Sequence, residues 1–470
     1  MKNAFATTKE NSKDEYDIPG RKITSRFKGK YFRYCTENPV WGVFLIPILA
    51  TAQILIYLPQ LIKLRFYIKS YRKKNPQRPQ RVVFWSDTLD EVNGIANNIR
   101  LAVKEHLKQG RKVHLIGAIH RSRTQGKVED SLAMLLPVFF AMPQLGYPSS
   151  ELSIPHIKPL LRLAKRYPPD LIELQTPNPG SWTLMFMARI IGVKAISHYR
   201  TDGVGYTRLL VKFKPMHYYV HALIWVFSRF TTPVIVPSKD FEKKVRRQMS
   251  LKADQVVLLP RGIDLQPFSP KLRSNNYWNK HFPPSKSASQ PVRFISVGRV
   301  SLEKSLPFLE EVWQDFRQKN LDAQLLIVGD GPYLQEMQAQ QKDYASIRFT
   351  GQLTGAELYS LFAEADFFVF PSGNDTFGNV IVESMASGTP VIVSDQGGPK
   401  DICTPQTGWI KGFLQKNEWI NALEHCWKLK THAPDDYKTM RKKCWENSKN
   451  YSLNSACTAQ WEFFRTLIKN

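Results

Sequence analysis

From residue 81 onward, short apolar runs alternate with stretches whose apolar residues recur at helical spacing. RVVFWS (81–86) reads as a buried strand. NGIANNIRLAVKEHLKQG follows, and it sets Ile95, Ile99, Leu101, Ala102, Val103 and Leu107 largely on one side before Gly110 closes it. VHLIGA (113–118) is the next strand. A helix from about 157 to 165, DLIELQ (170–175), a helix near 181–191 and VKAISHY (193–199) continue the series. An aromatic-rich helix at about 216–229, PVIVPS (233–238), the basic helix KDFEKKVRRQM (239–249) and VVLLP (256–260) complete it. Strands of this kind separated by helices predict a parallel, doubly wound sheet.

Residues 266–291 interrupt the pattern with a Pro-, Ser-, Asn- and Lys-rich stretch that reads as a linker. The alternation then restarts. RFISVG, AQLLIVG, IRFTG, FFVFPS and PVIVSD are the strands, with helices expected near 306–319, 332–342, 355–364 and 378–387. The tail from about 436 reads as helix, with Trp445, Trp461, Phe463, Phe464 and Leu467 available for packing. The expected organisation is a basic leader and hydrophobic anchor (1–80), a first Rossmann-like domain (81–265), a linker (266–291), a second Rossmann-like domain (292–445) and a C-terminal helix (446–470) that can return to the first domain. Two such domains usually bind their ligand between the carboxyl ends of their sheets.

Composition changes the picture only ahead of residue 81. The chain of 470 residues carries a net charge of +26. Residues 1–81 hold 17 Lys and Arg against 5 Asp and Glu. Inside this stretch, Asn38 to Ile62 has no charged residue, and Val40 to Leu58 is almost wholly apolar. Lys28, Lys30 and Arg33 precede the window; Lys63, Arg65, Lys69, Arg72, Lys73 and Lys74 follow it. A signal peptide would begin nearer the terminus and lack the second basic flank. The length suits a spanning helix, but Pro47, Gln53, Gln60 and Pro59 suit an interfacial one. A buried helix of a soluble domain is the plainer alternative. We expect membrane association, with spanning and in-plane placement both open. Nucleic acid would also suit the charge, but no helix-turn-helix, zinc-finger or RNA-recognition signature accompanies it. Five cysteines without a CxxC pair argue against a disulfide framework or structural zinc site.

Several common chemistries lack their signatures: no GxxxxGK[ST], HExxH or GxSxG occurs, and no two aspartates stand at i and i+2. The most specific feature is Asp375-Thr-Phe-Gly-Asn-Val-Ile-Val-Glu383, two carboxylates with seven residues between them. The first falls on a loop after a strand and the second about one turn into a helix. Phe377, Gly378 and Asn379 open that helix, whose free N–H groups suit an anion. Alone, such a pair is usually a polar turn and a solvated glutamate. It is accompanied by VGRVSLEK (297–304), which sets Arg299 and Lys304 past a strand end where two cations suit a diphosphate leaving group. GDGP (329–332) is a glycine turn after another strand, weak by itself.

Together, VGRxxxEK, GDGP, DTFGNxxxE, SMASGTPVI and GGPKD resemble the donor-binding domain of family-four retaining glycosyltransferases of the GT-B fold. SDTLDEVNGIANNIR (86–100), TPNPG (176–180), HYRTDGVGY (198–206), VPS (236–238) and PRGID (260–264) appear in that family's order. The resemblance covers about 81–445 and is strongest to the α-mannosyltransferase and sulfoquinovosyltransferase-like members that build glycolipids. It implies an α/β, GT-B fold, and roles follow. Glu383 would bind the donor ribose. Asp375, standing where many members have Glu, would contact the sugar hydroxyls. Arg299 and Lys304 would neutralise the diphosphate, with Asn93 and Gly94 approaching from the other domain. Thr376, Phe377, Gly378 and Asn379 would border the donor, and Gly331 and Leu353 the nucleobase. Relatives often carry Tyr-His-Thr-Asp; here Arg200 takes the His position and His198 lies two residues earlier, on the same face of an extended strand. An arginine cannot act as a base but can stabilise a phosphate or an acidic sugar, and His198 can equally be a satisfied histidine of the sheet.

The implied activity is transfer of a hexose from a UDP- or GDP-linked sugar to a lipid or lipid-linked hydroxyl, with retention and without metal or other cofactor. The partners would be the nucleotide-sugar, the lipid acceptor and an anionic membrane surface, which the helix carrying Lys243, Lys244, Arg246 and Arg247 would also touch. The catalytic domains would face the cytoplasm. A soluble polysaccharide acceptor, an epimerase or hydrolase on the same architecture, and an inactive nucleotide-sugar-binding scaffold are the alternatives.

Overall fold

The computed structural model describes residues 39–89, 94–119, 132–144, 147–175, 177–211, 213–274, 276–283, 290–340 and 346–469. The basic leader and Asn93 lie outside these residues. The chain divides into two compact units: one of Met1–Arg100, Gly110–Ser197 and Gly203–Thr231, the other of Leu101–Gln109, His198–Asp202 and Thr232–Asn470.

An eight-stranded sheet comprises β1 (Arg81–Ser86), β2 (Lys112–Ile119), β3 (Ala133–Gln144), β4 (Tyr147–Pro155), β5 (Leu171–Leu174), β6 (Lys194–His198), β7 (Val234–Val236) and β8 (Val256–Leu258), in the order β4-β3-β2-β1-β5-β6-β7-β8. β1 pairs in parallel with β2 and β5, as do β2 with β3, β5 with β6, and β7 with β8. The β3–β4 hairpin is antiparallel and was not legible in the sequence. Pro137, Pro143 and Pro148 break the strand pattern there, and prolines at such density belong at a sheet edge, which is where the hairpin sits.

The six-stranded sheet has β9 (Val292–Val297), β10 (Ala323–Val328), β11 (Ile347–Phe349), β12 (Phe367–Phe370), β13 (Val391–Ser394) and β14 (Gly408–Lys411), in the order β11-β10-β9-β12-β13-β14, all parallel. Its strands are apolar without a break because both faces are covered. Phe294, Leu325, Ile327, Phe367 and Val369 join one core, and Ile295, Val297, Leu326, Phe368 and Phe370 join the core on the other face. The residues after 265, polar in composition, fasten to this unit. Trp278 is fully buried, its backbone N–H donates to Glu364 Oε2 at 2.6 Å, and its indole donates to Gln324 Oε1 at 2.7 Å. Arg273 meets Asp366 at 2.6 Å; Lys430 and the Tyr437 hydroxyl bond the same buried carboxylate. The final helix, Leu453–Lys469, lies on residues 101–109, with Gln460 Oε1 3.1 Å from His106 Nε2 and Asn454 donating to Glu105 at 2.9 Å.

In the first unit, the apolar window forms helix α1 (Pro39–Ile56), and helix α2 (Leu58–Lys74) follows at once. Segments 46–56 and 58–74 meet at 63°, with Pro59 in the first turn of α2. No single helix among the described residues is long and apolar enough to cross a membrane, although the bent pair passes that test together. Both helices pack on the helix Pro179–Ile191. Gln53, the polar residue in the apolar window, is buried; it donates to the Pro155 carbonyl and accepts from the Ile157 N–H, each at 3.4 Å. Leu61, Leu64 and Ile68 are the buried stripe of α2. Arg72 donates to the Pro169 carbonyl at 2.7 Å and, with Arg78, pairs with Asp170.

Candidate active site

The glycine motifs are explained by close backbone approaches around the ends of β9, β10 and β12. A Cβ on Gly329 would stand 1.8 Å from the Gly298 carbonyl oxygen, and one on Gly331 would stand 2.3 Å from that of Val300. GDGP is thus pressed directly against VGRV, and only glycine permits this packing. The second glycine pair does the same for the acidic loop. A Cβ on Gly398 would meet the Thr376 carbonyl at 2.5 Å, and the Gly398 N–H donates to the Asp375 carbonyl at 2.7 Å. GGPKD therefore fixes the backbone on which Asp375 and Thr376 are presented.

On that loop Lys304 and Asp375 come together. The Lys304 ammonium lies 2.7 and 2.9 Å from the two Asp375 oxygens, and Ser372 Oγ donates to Oδ2 at 2.6 Å. The residues assigned to diphosphate and sugar are thus each other's ion-pair partners, at a separation that sets the direction of both side chains. Arg299 is exposed at the end of β9. Gly378, at φ +99°, caps the helix Asn379–Ala386, and Phe377 is buried against Tyr451. Asn379 Oδ1 is buried without a hydrogen-bond partner among the described residues. Leu353 packs at the margin of the core, and Gly331 is part-exposed in its turn. Gly94 opens the helix Gly94–Lys108 in the first unit.

Glu383 stands in the first turns of the helix Asn379–Ala386. Its carboxylate has no hydrogen bond or ion pair among the described residues, and the surrounding protein raises it to about 7, well above the usual carboxylate range. Its side chain still reaches solvent in part, so the cause is crowding by protein mass rather than complete enclosure. A dehydrated, unpaired acceptor is the group that a vicinal diol would satisfy with two O–H donors.

His198 ends β6 and is buried; burial first, then the charges of Arg200 and Arg261, hold its imidazole well below the ordinary range, so it is neutral at physiological pH. Arg200 Nη2 lies 3.4 Å from His198 Nδ1, and Arg200 is itself buried. The Thr376 hydroxyl donates to the Arg200 carbonyl at 2.9 Å, and its own carbonyl accepts from Ser238 Oγ at 2.7 Å. Arg261 also donates to the Arg200 carbonyl and lies 3.5 Å from Thr376 Oγ1. The sequence assigned no role to Arg261 or Ser238, although both belong to quoted segments, PRGID and VPS. Their link to Thr376 spans more than a hundred residues and leaves no local trace. Of the cations on the helix Lys239–Met249, Lys244 pairs with Asp202 at 2.6 Å and Arg246 with Glu242 at 3.6 Å.

Comparison with known proteins converges on one enzyme class. Residues 92–267 match the family described as Glycosyltransferase Family 4, and residues 291–428 match Glycosyl transferases group 1. A GDP-mannose-dependent alpha-mannosyltransferase of Corynebacterium glutamicum is 28% identical over 403 residues, covering 83% of this chain and 90% of that protein. Sulfoquinovosyl transferase SQD2 of Arabidopsis thaliana is 29% identical over 299 residues; the match takes in 62% of this chain and 56% of SQD2. Alpha-monoglucosyldiacylglycerol synthase of Streptococcus pneumoniae is 27% identical over 322 residues, covering 66% of this chain and 70% of that protein. Among solved structures, sucrose-phosphate synthase of Thermosynechococcus elongatus superposes with a TM-score of 0.66 at 20% identity, over 83% of this chain and 99% of that one. The Anabaena protein HepE in complex with UDP gives 0.63 at 16% identity, over 82% and 100%. Their likeness establishes the GT-B architecture. The chain therefore belongs to the family-four glycosyltransferases: it is a retaining hexosyltransferase that takes its sugar from a nucleotide-sugar.

Proposed function

We propose that the acceptor is a lipid or lipid-linked hydroxyl presented at an anionic membrane surface, and that transfer proceeds without a metal ion. The observation that carries this is the outer face of α1 and α2. Ile48, Ala52 and Leu55 on α1 and Pro59, Ile62 and Phe66 on α2 are exposed, and within each helix they are spaced by three and four residues, as on one helical face. Leu55 and Phe66 are 61% and 67% exposed. Lys63, Arg65, Lys69 and Lys73 border the stripe, and no acidic residue occurs between Glu37 and Asp87. Each large apolar side chain moved from water contributes roughly 1.5–3 kcal/mol, and each cation near an anionic leaflet about 1 kcal/mol. Both terms favour an in-plane contact. The opposite face is occupied by protein, with Gln53 bonded to the chain at 155 and 157, which supports lying on a bilayer over crossing it. The relatives' names support the same reading, since one is a monoglucosyldiacylglycerol synthase. Use of a nucleotide-sugar supports catalytic domains that face the cytoplasm.

The chemistry assigned to the site is dissociative transfer. Positive charge develops on the sugar ring and negative charge on the leaving diphosphate. Arg299, Lys304 and the N-terminus of the helix Asn379–Ala386 stabilise the leaving group, Asp375 fixes the sugar hydroxyls, and Glu383 holds the ribose. By the same resemblance Asn93 and Gly94 are assigned to the diphosphate, and Gly331 and Leu353 to the base. A donor phosphate oxygen takes the acceptor proton, so no protein base is required, and neutral His198 and cationic Arg200 are both compatible with that route. The absence of a DxD pair in the sequence supports independence from metal.

Vesicle flotation tests the surface. The protein is expected to float with vesicles of phosphatidylglycerol and phosphatidylcholine, more weakly with phosphatidylcholine alone, and L55D/F66D is expected to lose flotation. Equal flotation of that variant, or no flotation of the wild type, would contradict the membrane reading.

A further inference from the structure

The helix Lys214–Phe230 carries a face that the assigned roles leave unused. Its inner side, with Met216, Ile224 and Phe227, is buried. Met216 joins a core that also holds Ile46 and Ala50 of α1, and Tyr219 and Val220 pack against that core. This helix and α1 are therefore laid on one part of the first unit. On the outer side, Lys214, Tyr218, Ala222, Trp225 and Arg229 are exposed and follow one another by four or three residues, which sets them on one narrow face. Tyr218 is 77% and Trp225 39% exposed, and Phe213 and Phe230 are exposed at the two ends of the helix. The Arg229 guanidinium lies 4.7 Å from the centre of the Trp225 ring. Exposed aromatic rings gathered on one face mark a contact surface, and a phenol and an indole are apolar in body but polar at one edge.

The charge around this face selects its partner. No acidic residue occurs between Asp202 and Asp240, whereas Arg208, Lys212, Lys214, Arg229 and Lys239 all fall there. A second copy of the chain docked through the same face would set Lys214 and Arg229 against their like. An anionic lipid surface presents the opposite charge, and its headgroup layer is where tyrosine and tryptophan settle. We infer that the outer face of the helix Lys214–Phe230 is a second bilayer contact, seated at headgroup depth among anionic lipids. The inference rests on the proposed membrane surface of α1 and α2 and extends it. The aliphatic side chains of those helices suit the acyl boundary; the aromatic and cationic ones of this helix suit the headgroups. Contacts from separate helices hold the first unit in one orientation on the bilayer.

A reporter on each surface tests this. Replacing Cys35 by Ser leaves four cysteines, all buried. On that background, a nitrobenzoxadiazole label at Tyr218→Cys reports on this helix and one at Leu55→Cys reports on α1. With vesicles of phosphatidylglycerol and phosphatidylcholine, emission from both labels is expected to rise. The label at 218 is expected to be quenched more by a nitroxide on the headgroup than by one deep in the acyl chain, and to respond less to phosphatidylcholine alone. Y218S/W225S is expected to lose about tenfold in vesicle partitioning, while its affinity for whichever of UDP and GDP the wild type binds stays within about twofold. If that variant does not fold, Y218S decides, with an expected loss of about threefold. A response at 55 with none at 218, or unchanged partitioning of the variant, would overturn this inference and leave the reading of α1 and α2 intact. A response at neither position would overturn both. A dimer in solution that Y218S dissociates would assign the face to a second copy and overturn the inference as well.

Discussion

At the scale of single residues, the proposed ribose contact of Glu383 joins a cost in stability to a gain in binding. Its carboxyl is raised to about 7 in the folded chain from an ordinary value of 4.5. A carboxyl raised on folding stabilises the fold in its protonated form, so that contribution is present at low pH and is lost as pH rises through about 7. Ionised Glu383 is also the better acceptor for ribose hydroxyls. Donor affinity is therefore expected to strengthen from pH 6 to pH 8 while the unliganded protein melts at a lower temperature. E383Q should weaken donor binding about tenfold or more, abolish this pH dependence, and melt higher than wild type above pH 7. Melting curves and donor titrations across that range check both signs. Arg299 carries a simpler expectation. R299A should lower kcat about a hundredfold, because stabilisation of a leaving group acts mainly in the transition state. Near wild-type turnover would remove it from that role. Of the proposed site, Asp375, Lys304 and Glu383 were visible in the sequence as motif residues, with roles assigned by the family resemblance. Their partners were not: the Lys304–Asp375 pair joins residues 71 apart, and Arg261 meets Thr376 across 115.

At the scale of elements, most strands and helices could be read from apolar runs and their periods, because a parallel sheet covered on both faces writes itself as unbroken hydrophobic segments. Three features were hidden. The β3–β4 hairpin carries prolines that mask strand character. The stretch after 265 has linker composition, but Trp278 and Arg273 find their partners near residues 324 and 364–366, so composition alone does not show that it is packed. The apolar window shows length and hydropathy, but not that Gln53 binds backbone some hundred residues away. Asp366 tests how firmly the second of these is held. Buried cations keep its carboxyl far below the usual range, so its contribution is present above the ordinary value and lost only in strong acid. D366N leaves Arg273 and Lys430 poorly paired and should cost roughly 3–5 kcal/mol in denaturant melts. A change below 1 kcal/mol would show that the segment is held by packing alone.

At the scale of the whole molecule, residues 1–81 carry 17 Lys and Arg against 5 Asp and Glu, a share of the net charge of +26 well above their share of the chain, and the exposed apolar residues of α1 and α2 lie within this stretch. Charge that acts on a membrane is screened by salt, whereas apolar insertion is not. Vesicle binding should accordingly weaken between 50 and 500 mM NaCl without vanishing, a sedimentation series that separates the two terms. The central claim is that this family-four glycosyltransferase serves a lipid acceptor without metal. The most direct measurement supplies UDP-glucose, UDP-galactose, UDP-glucuronate, UDP-N-acetylglucosamine and GDP-mannose singly to the full chain with mixed membrane lipids, with and without EDTA. Nucleotide release is followed, and the lipid extract is analysed by mass spectrometry. We expect one donor to yield a glycolipid one hexose heavier than its acceptor, at a rate unchanged by EDTA. Nucleotide release that glycosylates only a soluble acceptor, or turnover abolished by EDTA and restored by a divalent metal, would contradict it.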